Sequence, residues 1–299
     1  SGTTAERPGS PSTGEWRYNT TTNLIEFYDG GAWRELQDEA IPPVPSEHFN
    51  TVIYTGNGTS QSITGVGFQP DWIWIKERTS TSNNVTFDST RGIYEQLYIT
   101  TAAESNNTAT VSSFDSDGFS VGNGLAVNES GQDYVAWCWK ANGGTTSSNT
   151  DGTITSTVQA NRQAGFSIIK YTGNGSASAT VGHGLGSIPE LTIFKQLDSG
   201  GTGGGVWNTY LTSNNTVGFL NSDIAFVANT GGTNGSVDIA NMSSTTFGFL
   251  NGSSSANNQN NSGSDYIVYA FTSIPTYSKI GTYTGTGSTS NRPIINTGF

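Results

Sequence analysis

The sequence predicts an all-β protein made of tandem β-sandwich repeats, jelly-roll-like in type, preceded by a short N-terminal β-meander. Three observations predict it. Short runs of β-branched and aromatic residues, such as Thr51-Val52-Ile53-Tyr54 and Gly118-Phe119-Ser120-Val121, recur between Gly, Asn, Asp or Pro residues. No window sustains the apolar period of about 3.6 residues, with caps, that a helix needs, so helix is confined to single turns such as one expected at Tyr94-Glu95-Gln96-Leu97. Finally, the chain repeats itself: Phe49-Asn50-Thr51-Val52-Ile53-Tyr54-Thr55-Gly56-Asn57-Gly58 reappears as Phe166-Ser167-Ile168-Ile169-Lys170-Tyr171-Thr172-Gly173-Asn174-Gly175, with the two tyrosines 117 positions apart.

Residues 1–40 stand apart from the repeats. Gly14-Glu15-Trp16-Arg17-Tyr18-Asn19, Leu24-Ile25-Glu26-Phe27-Tyr28 and Ala32-Trp33-Arg34-Glu35-Leu36 read as a three-stranded meander, with Asp29-Gly30-Gly31 as a hairpin turn. So few residues cannot cover Trp16, Tyr18, Phe27, Tyr28 and Trp33, so another chain is expected to cover them, in a homotrimer held through this segment and the Pro-rich spacer. That spacer, 41–47, contains Pro42-Pro43-Val44-Pro45.

The first repeat occupies 48–145 and the second 165–276, with 146–164 expected to be a linker because the stretch entering it, Asn142 to Gly152, is polar without an apolar anchor. Pro70-Asp71-Trp72-Ile73-Trp74-Ile75-Lys76 aligns with Pro189-Glu190-Leu191-Thr192-Ile193-Phe194-Lys195. Near the end of each unit, Gly131-Gln132-Asp133-Tyr134-Val135-Ala136-Trp137 aligns with Gly263-Ser264-Asp265-Tyr266-Ile267-Val268-Tyr269. Asp133 and Asp265 are 132 positions apart, so the second repeat carries extra residues, expected as loop. Trp207-Asn208-Thr209-Tyr210 is aligned with Phe87-Asp88-Ser89-Thr90. Residues 277–299, with Tyr277 to Gly287 repeating the opening motif, read as the truncated start of a third repeat, and a chain that begins at Ser1 without Met reads as a piece of a longer or processed protein.

Composition excludes several functions. A length of 299 residues accommodates about two ordinary domains. Charged residues are only 12%, but an aromatic content of 11% argues for folded cores rather than disorder. With a net charge of −11 and 12 Lys plus Arg there is no basic stripe for nucleic acid, and apolar runs fall far short of the roughly 20 residues of a membrane span. Cys138, alone in the chain, lies in Val135-Ala136-Trp137-Cys138-Trp139 and reads as a buried small side chain.

Chemistry-bearing patterns are sparse. Asp115-Ser116-Asp117-Gly118 has the look of a calcium loop, but its counterpart Ser244-Thr245-Thr246-Phe247-Gly248 has no carboxylate, so a polar turn is expected and no metal or other cofactor is assigned. His48 and His183 lack the companions of a catalytic triad, and Gly56-Asn57-Gly58 and Gly122-Asn123-Gly124 open no helix that could hold a phosphate. Trp72, Trp74, Trp137 and Trp139 could form a sugar-stacking platform, but Leu191, Ile193, Tyr269 and Phe271 preserve bulk rather than ring identity, which favours core packing. No catalytic residue is assigned and receptor-binding residues are not identified.

The N-terminal pattern Gly-Thr-Thr-Ala-Glu-Arg-Pro, Gly-Glu-Trp-Arg-Tyr-Asn-Thr and Glu-Phe-Tyr-Asp-Gly-Gly-Ala-Trp resembles a short module of phage tail-fibre and virion structural proteins. The repeats, with their opening at 165–175, Val181-Gly182-His183-Gly184-Leu185-Gly186 and the Asp-Tyr closing strand, resemble a domain of structural proteins of marine phages, including cyanophages. These resemblances imply a non-enzymatic fibre or appendage subunit on the exterior of the virion. Its partners would be other virion proteins and a host-surface glycan or protein. The alternatives are a capsid decoration or head-fibre protein and, third, a tailspike-like depolymerase, which would need paired carboxylates absent as a recurrent pattern from the two copies.

Overall fold

In a computed structural model, residues 1–21, 24–35, 43–100, 102–198, 206–230, 237–250, 259–287, 290 and 292–298 are described. The chain divides into two compact units, Ser1–Pro42 and Pro43–Phe299. In the first, β1 (Trp16–Asn19), β2 (Leu24–Tyr28) and β3 (Trp33–Glu35) form the expected antiparallel meander, with Trp16 opposite Phe27 and Tyr28 opposite Trp33. The buried Glu26 organises it: Arg7 binds its carboxylate at 2.6 Å, Arg17 lies at 3.3 Å and the Asn19 amide donates at 3.1 Å. The Arg7 hydrogen bond holds that carboxyl below its ordinary range. Trp16, Tyr18 and Ile25 remain exposed. Leu36 and the first part of the spacer lie outside the described residues, while Pro45–Glu47 forms a 3-10 turn.

The second unit contains two sandwich-like assemblies of antiparallel strands. The first comprises β4 (Phe49–Thr55), β5 (Gln61–Thr64), β6 (Trp72–Glu77), β7 (Val85–Asp88), β8 (Glu95–Tyr98), β9 (Ser105–Asn106), β10 (Val111–Asp115), β11 (Gly118–Val121), the helical turn α1 (Leu125–Asn128) and β12 (Asp133–Trp139). A large sheet β4-β12-β6-β7-β8-β9 faces a small sheet β10-β11-β5. Alternation along β12 and β6 turns Tyr134, Ala136, Cys138, Ile73 and Ile75 toward Ile63, Phe119 and Val121 of the small sheet to make the core. The helical turn expected at Tyr94-Glu95-Gln96-Leu97 is strand instead. Tyr94 adopts φ 69°, redirecting the chain so that Glu95–Tyr98 pairs with β7 and β9.

The second assembly uses β13 (Ser147–Asn149), β14 (Ser156–Asn161), β15 (Phe166–Thr172), β16 (Thr180–Gly182), β17 (Leu191–Gln196), β18 (Trp207–Leu211), β19 (Thr216–Phe219), β20 (Val227–Ala228), β21 (Val237–Asp238), β22 (Thr246–Phe249) and β23 (Asp265–Phe271). Its large sheet reads β13-β14-β15-β23-β17-β18-β19-β20 and its small sheet β16-β22-β21. From β15 to β20 the order repeats that of β4 to β9 strand for strand. Register corrects one alignment: Trp72 lies opposite Asp88 and Leu191 opposite Leu211, so the counterpart of Phe87 is Tyr210, not Trp207.

The stretch 146–164 does not behave as a linker. β14 pairs along β15 from Thr157–Lys170 to Asn161–Phe166, and β13 pairs outside it, so this stretch extends the second sheet and delivers Ile154 and Val158 to its core. A strand added at an edge is held by main-chain hydrogen bonds, which polar residues supply as well as apolar ones. Much of the extra length of the second repeat falls at 199–205, 231–236 and 251–258, outside the described residues.

Candidate functional site

The same clasp closes both sandwiches. Asn57 and Asn174 sit in the turn after the opening strand, where Gly58 and Gly175 take φ 72° and 73°, a region open to glycine without strain. Asn128 accepts the Asn57 backbone N–H at 2.8 Å and donates to Asn57 Oδ1, the Thr59 carbonyl and the Gly122 carbonyl. Asn260 accepts from Asn174 N–H at 2.9 Å and donates to Asn174 Oδ1 and the Ser176 carbonyl. Gly56 and Gly173 are required because a Cβ there would lie 2.2 and 2.3 Å from the carbonyl oxygens of Glu129 and Asn261. Tyr54 stacks on Tyr134 and Tyr171 on Tyr266, each with ring centroids 5.1 Å apart, and the hydroxyls of Tyr54 and Tyr171 donate to the carbonyls of Val127 and Gln259.

Between the sandwiches runs a buried aromatic seam. The outer faces of the two large sheets meet there, with Trp72, Leu97 and Ala141 packed against Phe166, Ile168, Ile193, Trp207 and Tyr269. Trp72 stacks on Tyr269 at 4.1 Å and 13°, and on Trp139 at 4.4 Å. A polar bolt crosses the seam beside them. The Tyr269 hydroxyl donates to Asp88 Oδ2 at 2.7 Å, Asp88 binds Arg91, and Arg91 reaches Glu104 at 2.7 Å. Burial opposes the charge on Arg91, but Asp88, Tyr269 and Glu104 outweigh it and raise its pKa. Desolvation, with Asp88 adding to it, pushes the Tyr269 phenol well above its ordinary value. Lys195, also buried, is pulled down to about 8 by desolvation.

At one end of the seam lies a mostly apolar cleft of ≈ 310 Å³, lined among others by His48, Phe49, Trp139, Phe166, Phe271 and Tyr277. Asn161 Oδ1 accepts the Ala164 N–H and its Nδ2 donates to the Lys140 carbonyl, which orients the amide so that Nδ2 also donates to His48 Nδ1 at 2.9 Å. Burial, aided by Lys140, lowers the His48 pKa, so the neutral ring carries its proton on Nε2. That buried nitrogen has no hydrogen-bond partner among the described residues, and Tyr277 sits edge-on to the ring at 6.2 Å.

The other residues singled out by sequence are engaged structurally. Asp117 accepts the N–H groups of Gly65 and Gly67 at 3.1 and 2.6 Å, and Asp115 accepts the Ser120 hydroxyl at 2.7 Å, so the calcium-like loop is a capped hairpin turn. Among the described residues no group of three His, Cys, Asp or Glu side chains is placed to hold a metal. His183 is fully buried, accepting the Leu185 N–H on Nδ1 with Nε2 on the Ser243 carbonyl. Cys138 packs in the first core, where burial pushes its thiol up to about 12. Trp72 is a core residue, but of the seam rather than of its own sandwich, and Trp74 and Trp139 pack against the same cluster. Asp88, Arg91 and Asn161 were not singled out by sequence, because none has a counterpart of the same kind in the other repeat.

The architecture defines an internally duplicated all-β protein whose repeated polar residues close turns over strands. Residues 44–299 match the family described as a domain of unknown function, DUF7483, and the chain belongs to that family. No curated protein and no solved structure matches the chain. Among the described residues no helix is long and apolar enough to cross a membrane.

Proposed function

We infer that the protein is a non-enzymatic structural subunit of a phage fibre or virion appendage, carried on the particle exterior. The observation that carries this reading is the fate of the polar residues common to both sandwiches. Asn128 and Asn260, Tyr54 and Tyr171, and Asp133 and Asp265 bond neighbouring backbone, the turn residues Asn57 and Asn174, or the opening strand at Thr55 and Thr172. Duplication has kept the parts that build a sandwich, as selection for mechanical display would. The resemblance of residues 1–40 and of the repeats to virion modules supplies the particle. The exposed Trp16, Tyr18 and Ile25 support trimer formation through the first unit, and the polar loops are the surfaces for a host glycan or protein.

Mass spectrometry of purified particles, followed by antibody labelling in electron micrographs, tests this. The expected result is labelling of an external appendage; a protein absent from intact particles would overturn the assignment. Light scattering on dilute protein should report three chains for the whole protein and fewer after removal of residues 1–45.

A further inference from the structure

The two sandwiches differ at one edge. In the second, β15 is hydrogen-bonded on both sides, to β23 and to β14. In the first, the equivalent β4 pairs, among the described residues, only with β12. The Gly56 N–H donates to the Gln132 carbonyl and the Lys140 N–H to the His48 carbonyl, which fixes the phase of the ladder. Asn50, Val52 and Tyr54 therefore turn their main-chain groups toward β12, and Phe49, Thr51 and Ile53 turn theirs to the open edge. Phe49, Thr51 and Ile53 correspond to Phe166, Ile168 and Lys170, which are bonded to β14. The Thr51 N–H is held by Asn50 Oδ1 at 2.8 Å; the outward main-chain groups of Phe49 and Ile53 have no partner among the described residues.

Proteins guard such edges with charge, proline or a bulge. β4 has none of these over seven residues, its Ile53 side chain is 69% exposed, and Val52 and Tyr54 are only partly buried where Val158 completes the second core. The chain just before it, Pro42-Pro43-Val44-Pro45, cannot serve as the missing strand, because three of its residues lack an N–H.

We propose that the β4 edge is an interface that takes β4 of a second copy of this chain, in antiparallel register about Val52. β14 shows what the position accepts: Thr157 lies opposite Lys170 and Val158 opposite Ile169. A second β4 centred on Val52 presents Thr51 and Val52 at those same two places, reproducing the Thr-Val pair of β14. The outward groups of Thr51 then meet those of Ile53 in the partner, Asn50 Oδ1 hands over the Thr51 N–H, and the two Val52 side chains close the two half-open cores. A two-fold axis through one uncharged strand is self-complementary and leaves no growing edge. With a net charge of −11 on each chain, association should strengthen as salt is added.

The interface is independent of residues 1–45 and of any trimer they form. Analytical ultracentrifugation of the full chain should show pairing that Ile53→Lys and Ile53→Pro each weaken by about tenfold or more, while near-ultraviolet circular dichroism stays native. Proline at 53 removes only an outward N–H and spares the ladder to β12. Without any variant, hydrogen exchange at the Phe49 and Ile53 amides should slow as protein concentration rises, while Asn50, Val52 and Tyr54 stay protected throughout. A monomer at all concentrations, an association indifferent to both substitutions, or exchange at Phe49 and Ile53 independent of concentration would overturn the proposal. A three-chain state that does not grow with protein concentration and is lost only on removing residues 1–45 would do the same while leaving the fibre reading intact.

Discussion

The two sandwiches share a strand order and a clasp, yet they use equivalent outer faces differently. On the first large sheet, Trp72, Trp74 and Trp139 line the side toward the second sandwich, while Val135 and Trp137 stay partly exposed. On the second, the counterpart of Trp137 is Tyr269, and it is fully buried against Trp72. The copies therefore meet as heterologous partners, one sheet offset across the other. Duplication preserved what closes each core and released the outer faces to diverge into a fitted seam. It also left the two opening strands unequal, one sheathed by β14 and the other bare.

The largest effect should come from the seam. Trp72→Ala removes a side chain that is 1% exposed and stacked on three other rings, so it should cost about 3–5 kcal/mol in chemical unfolding. Trp137→Ala, at the position equivalent to Tyr269 but partly exposed and in edge contact with Trp74, should cost under about 1.5 kcal/mol in dilute protein. Equal costs would mean that the two faces are not used differently. If the sandwiches unfold in two separate steps in the Trp72→Ala protein and in one step in the parent, the seam is what couples them.

The clasps test the opposite side of the comparison, what the copies share. Asn128→Ala and Asn260→Ala each remove a buried amide and leave a backbone N–H and one or more carbonyls of a partly exposed turn without their partners, at a cost of about 1–2 kcal/mol. The two values should agree within about 1 kcal/mol, measured by urea unfolding. A much smaller cost at Asn260 would show that only the first clasp closes its sandwich.

How much of this was legible in the sequence depended on whether hydrophobic pattern or main-chain bonding does the work. Trp72-Ile73-Trp74-Ile75 is apolar at every position, the pattern of a strand buried on both faces, yet its tryptophans read only as core packing. Which layer covers it depends on long-range packing that no local window contains. Ser156-Thr157-Val158-Gln159-Ala160-Asn161 carries the alternation of a strand in only two apolar residues, so its polar neighbours made it read as linker. The cleft beside His48 joins residues from 45 to 280, brought together only by the two sandwiches meeting.

The smallest effect is the one that pH reads, and it separates the two histidines from the carboxylates. Burial lowers the pKa of both His48 and His183 from an ordinary value of 6.5. For His48, Lys140 adds to the shift and Glu47 opposes it; for His183, the Ser243 carbonyl and Asp151 oppose it and Arg162 adds to it. Both rings accept an N–H on Nδ1, from Asn161 and Leu185, so a proton there would set donor against donor. Above about pH 6.5 neither the folded nor the unfolded chain protonates these rings and they contribute no pH dependence. As pH falls below it, the unfolded chain takes up protons that the folded one refuses, and stability drops until the lowered pKa is reached. Carboxylates such as Glu26, themselves held low, titrate further down, which leaves roughly pH 5–6.5 as the histidine window. Unfolding free energy there should fall by at most about 1.4 kcal/mol per pH unit for each ring. His48→Gln and His183→Gln should each remove part of that slope and the double variant nearly all of it, at some cost in stability at every pH. A parent protein whose stability is flat from pH 6.5 to 5 would show that both rings stay protonatable in the fold, contrary to the hydrogen bonding on Nδ1.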